Sequence, residues 1–298
     1  MRAAVQWVSA RPHWVVLGTI ICGYYLAPVA GALLIVYMLR HGPVTGSTVT
    51  AFALIGTVGT GLLLGRLLET STAMMLGFAV AVILGGATSG WLLGWSRSLT
   101  FSFQTLLVSV IVGVVALFTL VPSAAGIGEL LQADVVELLR ASGVSDELVT
   151  QFAATEPSEL VRVLLISLQL SLLSSLMLGL WWYSLIAEGL RFGREFRALK
   201  IGRSVGIALM LLVVAAQLLE TDLLAYVAPL AVIGFLFQGL AVLHARSHRD
   251  QWPKIVLVLV YVALFSLSPL TVFVLMGLSA VGLLDNFFEL RGRPMPDD

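Results

Sequence analysis

Four glutamines interrupt otherwise apolar runs of this chain: Gln104, Gln169, Gln217 and Gln238. An amide carries two donors and two acceptor lone pairs, and hydrocarbon satisfies none of them, so each must face protein or a polar cavity. With Tyr261, and with Tyr24, Tyr25, Tyr37 and Tyr226, they make a candidate pocket for a neutral or zwitterionic solute. The alternative is that each amide ties two helices together, which requires no solute.

A second pattern is basic. Arg191, Arg194, Arg197, Lys200 and Arg203 recur every three residues, while Phe192, Phe196 and Leu199 fall at i, i+4 and i+7. On a helix this puts a basic stripe beside an apolar one, suited to the membrane interface, with Gly193 and Gly202 limiting its length. It is a candidate site for anionic lipid headgroups, a phosphorylated ligand or a membrane or cytoplasmic protein partner, each charge contributing about 1 kcal/mol near an anionic surface. The plainer reading is a topology anchor whose long side chains snorkel. A third group lies at the end of the chain, where Asp285 and Asn286 precede Phe287 and Phe288, close to Arg291 and Arg293. Asp285 pairs either with Arg291 or with the Arg194–Arg197 stripe, locking the tail to the basic loop, or it only caps a helix end.

Catalytic patterns are missing. There is no His-Glu-x-x-His, no Gly-x-Ser-x-Gly and no pair of carboxylates within one apolar run, so no enzyme, cofactor or metal site is expected. Cys22 is the single cysteine and makes no internal disulfide; it reads as a small apolar side chain. Arg66, Arg162, Glu188, Glu220, Asp222, His244 and Asp285 all fall near the ends of apolar runs, which argues against a proton-coupled pump or ion exchanger.

The elements that must position these residues are membrane helices. Charged residues are 11% and hydrophobic ones 59% of the chain, and mean hydropathy is +1.00. The net charge of zero gives no footprint for nucleic acid. Candidate spans are Trp14 to Leu39, Gly46 to Leu67, Thr72 to Trp95, Leu99 to Val121, Leu160 to Ile186, Ser204 to Leu219, Leu223 to Leu243 and Ile255 to Phe288. The expected fold is an all-α polytopic bundle of about eight spans (about seven to nine), since about 20 apolar residues cross the hydrocarbon. Pro28 and Pro269 can break the first and last runs, and if both double back, both tails lie on one side.

The basic loop 188–203 and the loop 244–254, with Arg246, Arg249 and Lys254, belong in the cytoplasm; the acidic loop 123–157 belongs outside. Within that outer loop, Ile127, Leu130, Leu131, Val135, Leu138 and Leu139 form an apolar helical face ended by Gly143, and Ser145 starts a second short helix. A helical hairpin results, read either as a lid over a cavity or as a connector. Small residues at four-residue spacing (Gly86, Gly90 and Gly94; Gly61 and Gly65; Ser167, Ser171, Ser175 and Gly179) read as close helix packing.

Several landmarks resemble the YybS-like family of bacterial inner-membrane proteins. They are Ala27-Pro28 with Leu39-Arg40-His41-Gly42, Trp181-Trp182, the run Phe192 to Leu199, and the run Gly282 to Arg291. The acidic outer loop has no counterpart among them. The resemblance implies a multi-pass protein of the bacterial inner membrane, and a fold similar to the substrate-binding subunits of energy-coupling-factor vitamin transporters. No vitamin-binding residue maps onto this chain. The expected function is binding or transport of a small neutral or zwitterionic solute; the rival is a membrane scaffold or regulator recruiting partners through its basic loop.

Overall fold

The computed structural model describes residues 1–68, 72–219, 221–266, 268–288 and 290–291, and helix is the only regular secondary structure among them. The helices are α1 (Arg2–Ser9), α2 (Pro12–Tyr25), α3 (Ala27–His41), α4 (Pro43–Leu68), α5 (Ala73–Ser96), α6 (Leu99–Leu120), α7 (Ile127–Ala141), α8 (Asp146–Ala153), α9 (Pro157–Ile186), α10 (Phe192–Ala198), α11 (Arg203–Leu218), α12 (Asp222–Arg249), α13 (Lys254–Phe265) and α14 (Pro269–Phe288). A short 3₁₀ turn, Pro122–Gly126, leads into α7. Six of them, α4, α5, α6, α9, α12 and α14, are long and apolar enough to cross a membrane, and α10 with α11, bent by 63°, makes a seventh if counted as one span. The protein is a multi-pass helical membrane protein. The run from Trp14 to Leu39 accounts for the difference from eight.

That run breaks at Leu26, whose φ of −136° and ψ of 56° belong to neither helix. Pro28 is the cause: it has no N–H and disfavours helix just before it, yet its fixed φ suits the first turn of α3. The chain then doubles back. A Cβ on Gly18 would lie 3.0 Å from Leu33, although a straight helix would separate the two by about 22 Å.

The chain divides into two compact units, the first comprising Met1–Arg97 with Val108–Leu190 and the second Ser98–Leu107 with the residues from Arg191 onward, so α6 contributes to both. In the first unit α3 is the most buried helix, with all but Pro28, Val29 and Leu33 buried between Ala27 and Met38, as expected of a helix with no polar face. Glycines admit its neighbours: a Cβ on Gly86 would come within 2.7 Å of the Gly31 Cα, and one on Gly90 within 3.0 Å of the Ile35 Cα. Gly179 meets Ile35 from the other side, and Gly31 meets Ser175. Because the numbers rise together, α5 and α9 both run parallel to α3. The two small-residue rows therefore pack within the unit. Arg40 donates to the Gln6 carbonyl (3.1 Å) and His41 bonds the Ser9 carbonyl (2.9 Å), placing α1 beside the end of α3.

In the second unit α12 and α14 cross backbone to backbone at Gly239 and Gly282, where a Cβ on either glycine would strike main-chain atoms of the other helix. Ser279 donates to the Val232 carbonyl at 3.3 Å, so these two helices are also parallel. The expected break before Pro269 is present. The Thr271 hydroxyl bonds the Ala263 carbonyl at 2.9 Å, occupying an acceptor freed where α13 stops.

Candidate functional site

Between α10 and α11 the chain unwinds. Leu199 leaves the helix with ψ of 119°, and Gly202 has φ of +81°, the left-handed region that glycine enters without penalty. Leu199 and Ile201 are nonetheless wholly buried. Unwound backbone away from water needs partners for its N–H and C=O groups, and side chains supply them. Gln104 donates to the Lys200 carbonyl at 2.9 Å, and the Gln238 carbonyl oxygen accepts from the Ile201 N–H at 2.9 Å. Arg291 donates to the carbonyls of Arg197 and Leu199.

The same side chains meet one another. The Gln238 amide nitrogen donates to Asp285 Oδ2 (2.9 Å) and to Asn286 Oδ1 (3.2 Å). Arg291 pairs with that Oδ2 through Nε and Nη2, each at 3.0 Å. Asp285 is fully buried and Asn286 nearly so, while Asp285 Oδ1 has no partner among the described residues. Arg203 Nε donates to the Asn286 carbonyl at 3.3 Å, and Arg249 donates to the Arg291 carbonyl at 2.9 Å. Of the alternatives for Asp285, pairing with Arg291 is the one formed. The tail is locked to the basic loop through the Arg197 and Leu199 carbonyls and through Arg203, not through a pairing of Asp285 with Arg194 or Arg197.

These contacts place the expected solute-pocket residues. Gln104 and Gln238 are helix ties, each spent on the unwound strand. Gln217 is exposed on α11, and Tyr261 lies 3.4 Å from His244 Nε2. Gln169 belongs to the first unit, fully buried on α9 with both amide atoms unpaired among the described residues. None of the five is among the residues that line the cavity described below.

The basic stripe is divided as well. Its helix stops at Ala198, so Lys200 and Arg203 leave the line of α10. Arg191 and Arg194 are exposed, with Arg194 3.5 Å from Glu195, while Arg197 and Lys200 are half-buried. Phe192 stacks on Phe196 with ring centres 5.4 Å apart, and Phe196 meets the edge of His244. On the apolar side of the segment Phe196 and Leu199 are buried and Phe192 is half-buried, and Arg293 lies outside the described residues.

A cavity occurs in the first unit instead. It measures about 200 Å³ and is lined by Gly23 and Tyr24 of α2, Met74, Met75 and Phe78 of α5, Leu131, Asp134, Val135 and Leu138 of α7, and Leu164 of α9. The expected hairpin is there. Gly143, with φ of +70°, turns the chain after α7, and Ser145 occupies the N-cap of α8 without a capping bond from its hydroxyl. Gln132 clamps the hairpin by donating to the carbonyls of Ala153 (2.9 Å) and Thr155 (2.8 Å), and a Cβ on Gly128 would strike Pro157. Tyr24 donates to the Thr57 carbonyl at 2.6 Å, fixing its ring in the wall. None of the four membrane glutamines lines this cavity. Its lining was visible in the sequence only as a tyrosine ahead of Pro28, a Met-Met pair opening a span, and one aspartate on the apolar face of the hairpin. No family model, curated protein or solved structure matches the chain.

Proposed function

We propose that the protein binds a small neutral or zwitterionic solute in the cavity beneath the α7–α8 hairpin. One observation carries the reading: a single amphipathic helix, tied by Gln132 to the end of α8, lines one wall of a mostly apolar hollow. Apolar hollows with few polar groups are the usual form of small-molecule sites, and a volume under about 300 Å³ restricts the ligand to a small one. By the distribution of arginine and lysine the hairpin faces outside and the loops 188–203 and 244–254 face the cytoplasm, and the YybS-like resemblance implies that the membrane is a bacterial inner membrane. The YybS-like resemblance, with its analogy to substrate-binding subunits of vitamin transporters, agrees with solute binding.

The test is a thermal-shift screen of small apolar solutes on the purified full-length chain. A ligand at about a hundred times its dissociation constant adds about 2.7 kcal/mol of stability, and Val135→Trp, which fills the hollow, abolishes that gain. Equal stabilisation of wild type and Val135→Trp places binding elsewhere. Sidedness has its own check. In a Cys22→Ser background, Ser145→Cys reacts with an impermeant maleimide applied to intact cells, whereas Gln251→Cys reacts only after lysis.

One feature favours partner recruitment as a second reading. The α10 segment is held by buried Phe196 and Leu199 while Arg191 and Arg194 stay exposed, presenting two cations on a fixed support to an anionic protein or lipid headgroup. Charge reversal at both arginines removes partner recovery from native membranes and leaves solute stabilisation intact.

A further inference from the structure

We infer that α1, with Arg11 and Trp14 just beyond it, holds the headgroup of an anionic phospholipid in the cytoplasmic leaflet. The helix is pinned to its unit by one side. Val8 packs against the cluster of Val15, Leu34, Tyr37, Val49 and Ile83, and Ser9 is buried. Arg40 donates to the Gln6 carbonyl and, at 2.8 Å, to the Ser9 hydroxyl, while His41 bonds the Ser9 carbonyl. The other side is apolar and open. Ala3, Trp7 and Ala10 stand at i, i+4 and i+7, so they share a face, and all three are exposed. A helix fixed along one face, with a tryptophan on the other and Arg2 and Arg11 at its two ends, suits the headgroup boundary of a membrane.

Depth has its own marker. α9 runs into the loop 188–203, which its arginines assign to the cytoplasm, and α3 and α5 run parallel to α9. Gly90 and Gly179 both meet Ile35, so Trp91, Trp95, Trp181 and Trp182 lie from that level toward the cytoplasmic ends of their helices. Arg40 ties α1, and with it Trp7 and Trp14, to the same end. Six of the seven tryptophans therefore gather there, and tryptophan favours the headgroup level. Charge then selects the lipid. The Arg11 guanidinium lies over the Trp7 ring, 4.4 Å from its centre, and the Trp7 and Trp14 rings are 5.3 Å apart. A guanidinium resting on an indole keeps the N–H donors at its rim for a phosphate. Residues 1–68 contain no aspartate or glutamate. Among the described residues no ion pair involves Arg2, Arg11, Arg40 or Glu188, the carboxylate just past α9. A zwitterionic headgroup cancels its own phosphate charge, whereas an anionic one leaves a net charge for these arginines to meet.

The test reads α1 directly, in full-length protein reconstituted into phosphatidylcholine nanodiscs. In a Cys22→Ser background, Ala3→Cys carries an NBD fluorophore, and the discs are doped with spin-labelled phosphatidylglycerol or, at equal mole fraction, spin-labelled phosphatidylcholine. Phosphatidylglycerol is expected to quench the fluorophore about fivefold or more effectively than phosphatidylcholine, the effect of one charge at the surface. Arg11→Gln brings the two lipids together, whereas Arg194→Gln, in the other unit, leaves the preference as it was. Because Arg11 is exposed, its variant is expected to melt with wild type in plain phosphatidylcholine discs, which separates a lost headgroup from a lost fold. Equal quenching of wild type by the two lipids overturns the anionic headgroup. A preference kept in the double variant Arg2→Gln with Arg11→Gln overturns the assignment to these arginines. A fluorophore reached by iodide and quenched by neither lipid puts Ala3, Trp7 and Ala10 in the cytosol, as a face for a protein partner would be, and overturns the inference outright.

Discussion

Asp285→Ala is expected to destabilise the protein by about 3–5 kcal/mol, the effect of removing one partner of a buried ion pair. The substitution strands the Arg291 guanidinium beside Gln238 in a space where Asp285 had no exposure. Arg291→Ala falls in the same range, because it leaves the carboxylate buried and also removes the donors to the carbonyls of Arg197 and Leu199. The pair Asp285→Leu with Arg291→Met is expected to be less destabilised than the sum of the single changes, since no lone charge remains. Melting temperature in detergent or nanodiscs measures all three. A local probe separates this account from general loosening: hydrogen exchange at residues 199–202 should accelerate in each single variant before exchange in α9 changes. Equal melting of Asp285→Ala and wild type would show that the network contributes nothing.

The second large effect is at the helix crossing. Gly282→Ala places a methyl group against the Phe235 carbonyl and 2.8 Å from the Gly239 nitrogen, main-chain atoms that cannot rotate away. Overpacking of this kind costs about 1–3 kcal/mol, and more where backbone must separate. Gly277→Ala, five residues earlier on the same helix, has nothing within 4 Å of the added carbon. It is expected to be neutral or to stabilise by up to about 1 kcal/mol through helix propensity. Opposite signs for two identical substitutions on one helix test the close approach directly. Gly86→Ala, which meets the Gly31 Cα at 2.7 Å, should follow Gly282→Ala. Loss of stability at Gly277 as large as at Gly282 would indicate a helix-wide effect and overturn the packing account.

Local patterns carried much of this fold into the sequence, and long-range partners carried the rest. The rows Gly86-Gly90-Gly94 and Ser175-Gly179 could be read as packing seams because in hydrocarbon a missing side chain has little use except close approach. The hairpin of α7 and α8 was equally legible from apolar periodicity, a glycine stop and an acidic first turn. The glutamines were not. An amide in an apolar run must find partners, but whether those are a solute or another segment depends on which backbone comes near. Gln104 and Gln238 bind residues 96 and 37 positions away, and no local periodicity encodes such a separation. Tyr24 and Asp134 escaped notice for the same reason, since a cavity belongs to no single helix.

By itself, then, the amino-acid order determined the solvent this chain lives in, the helical state of its spans and the residues at which helices must stop. Hydropathy, proline and glycine act over a few neighbours and need no fold to operate. Tertiary structure alone decided that α3 packs between α5 and α9, that two of the four glutamines serve an unwound segment, and that an aspartate on α7 lines a hollow. Each of these is a choice among distant partners, which periodicities acting over a few neighbours do not encode.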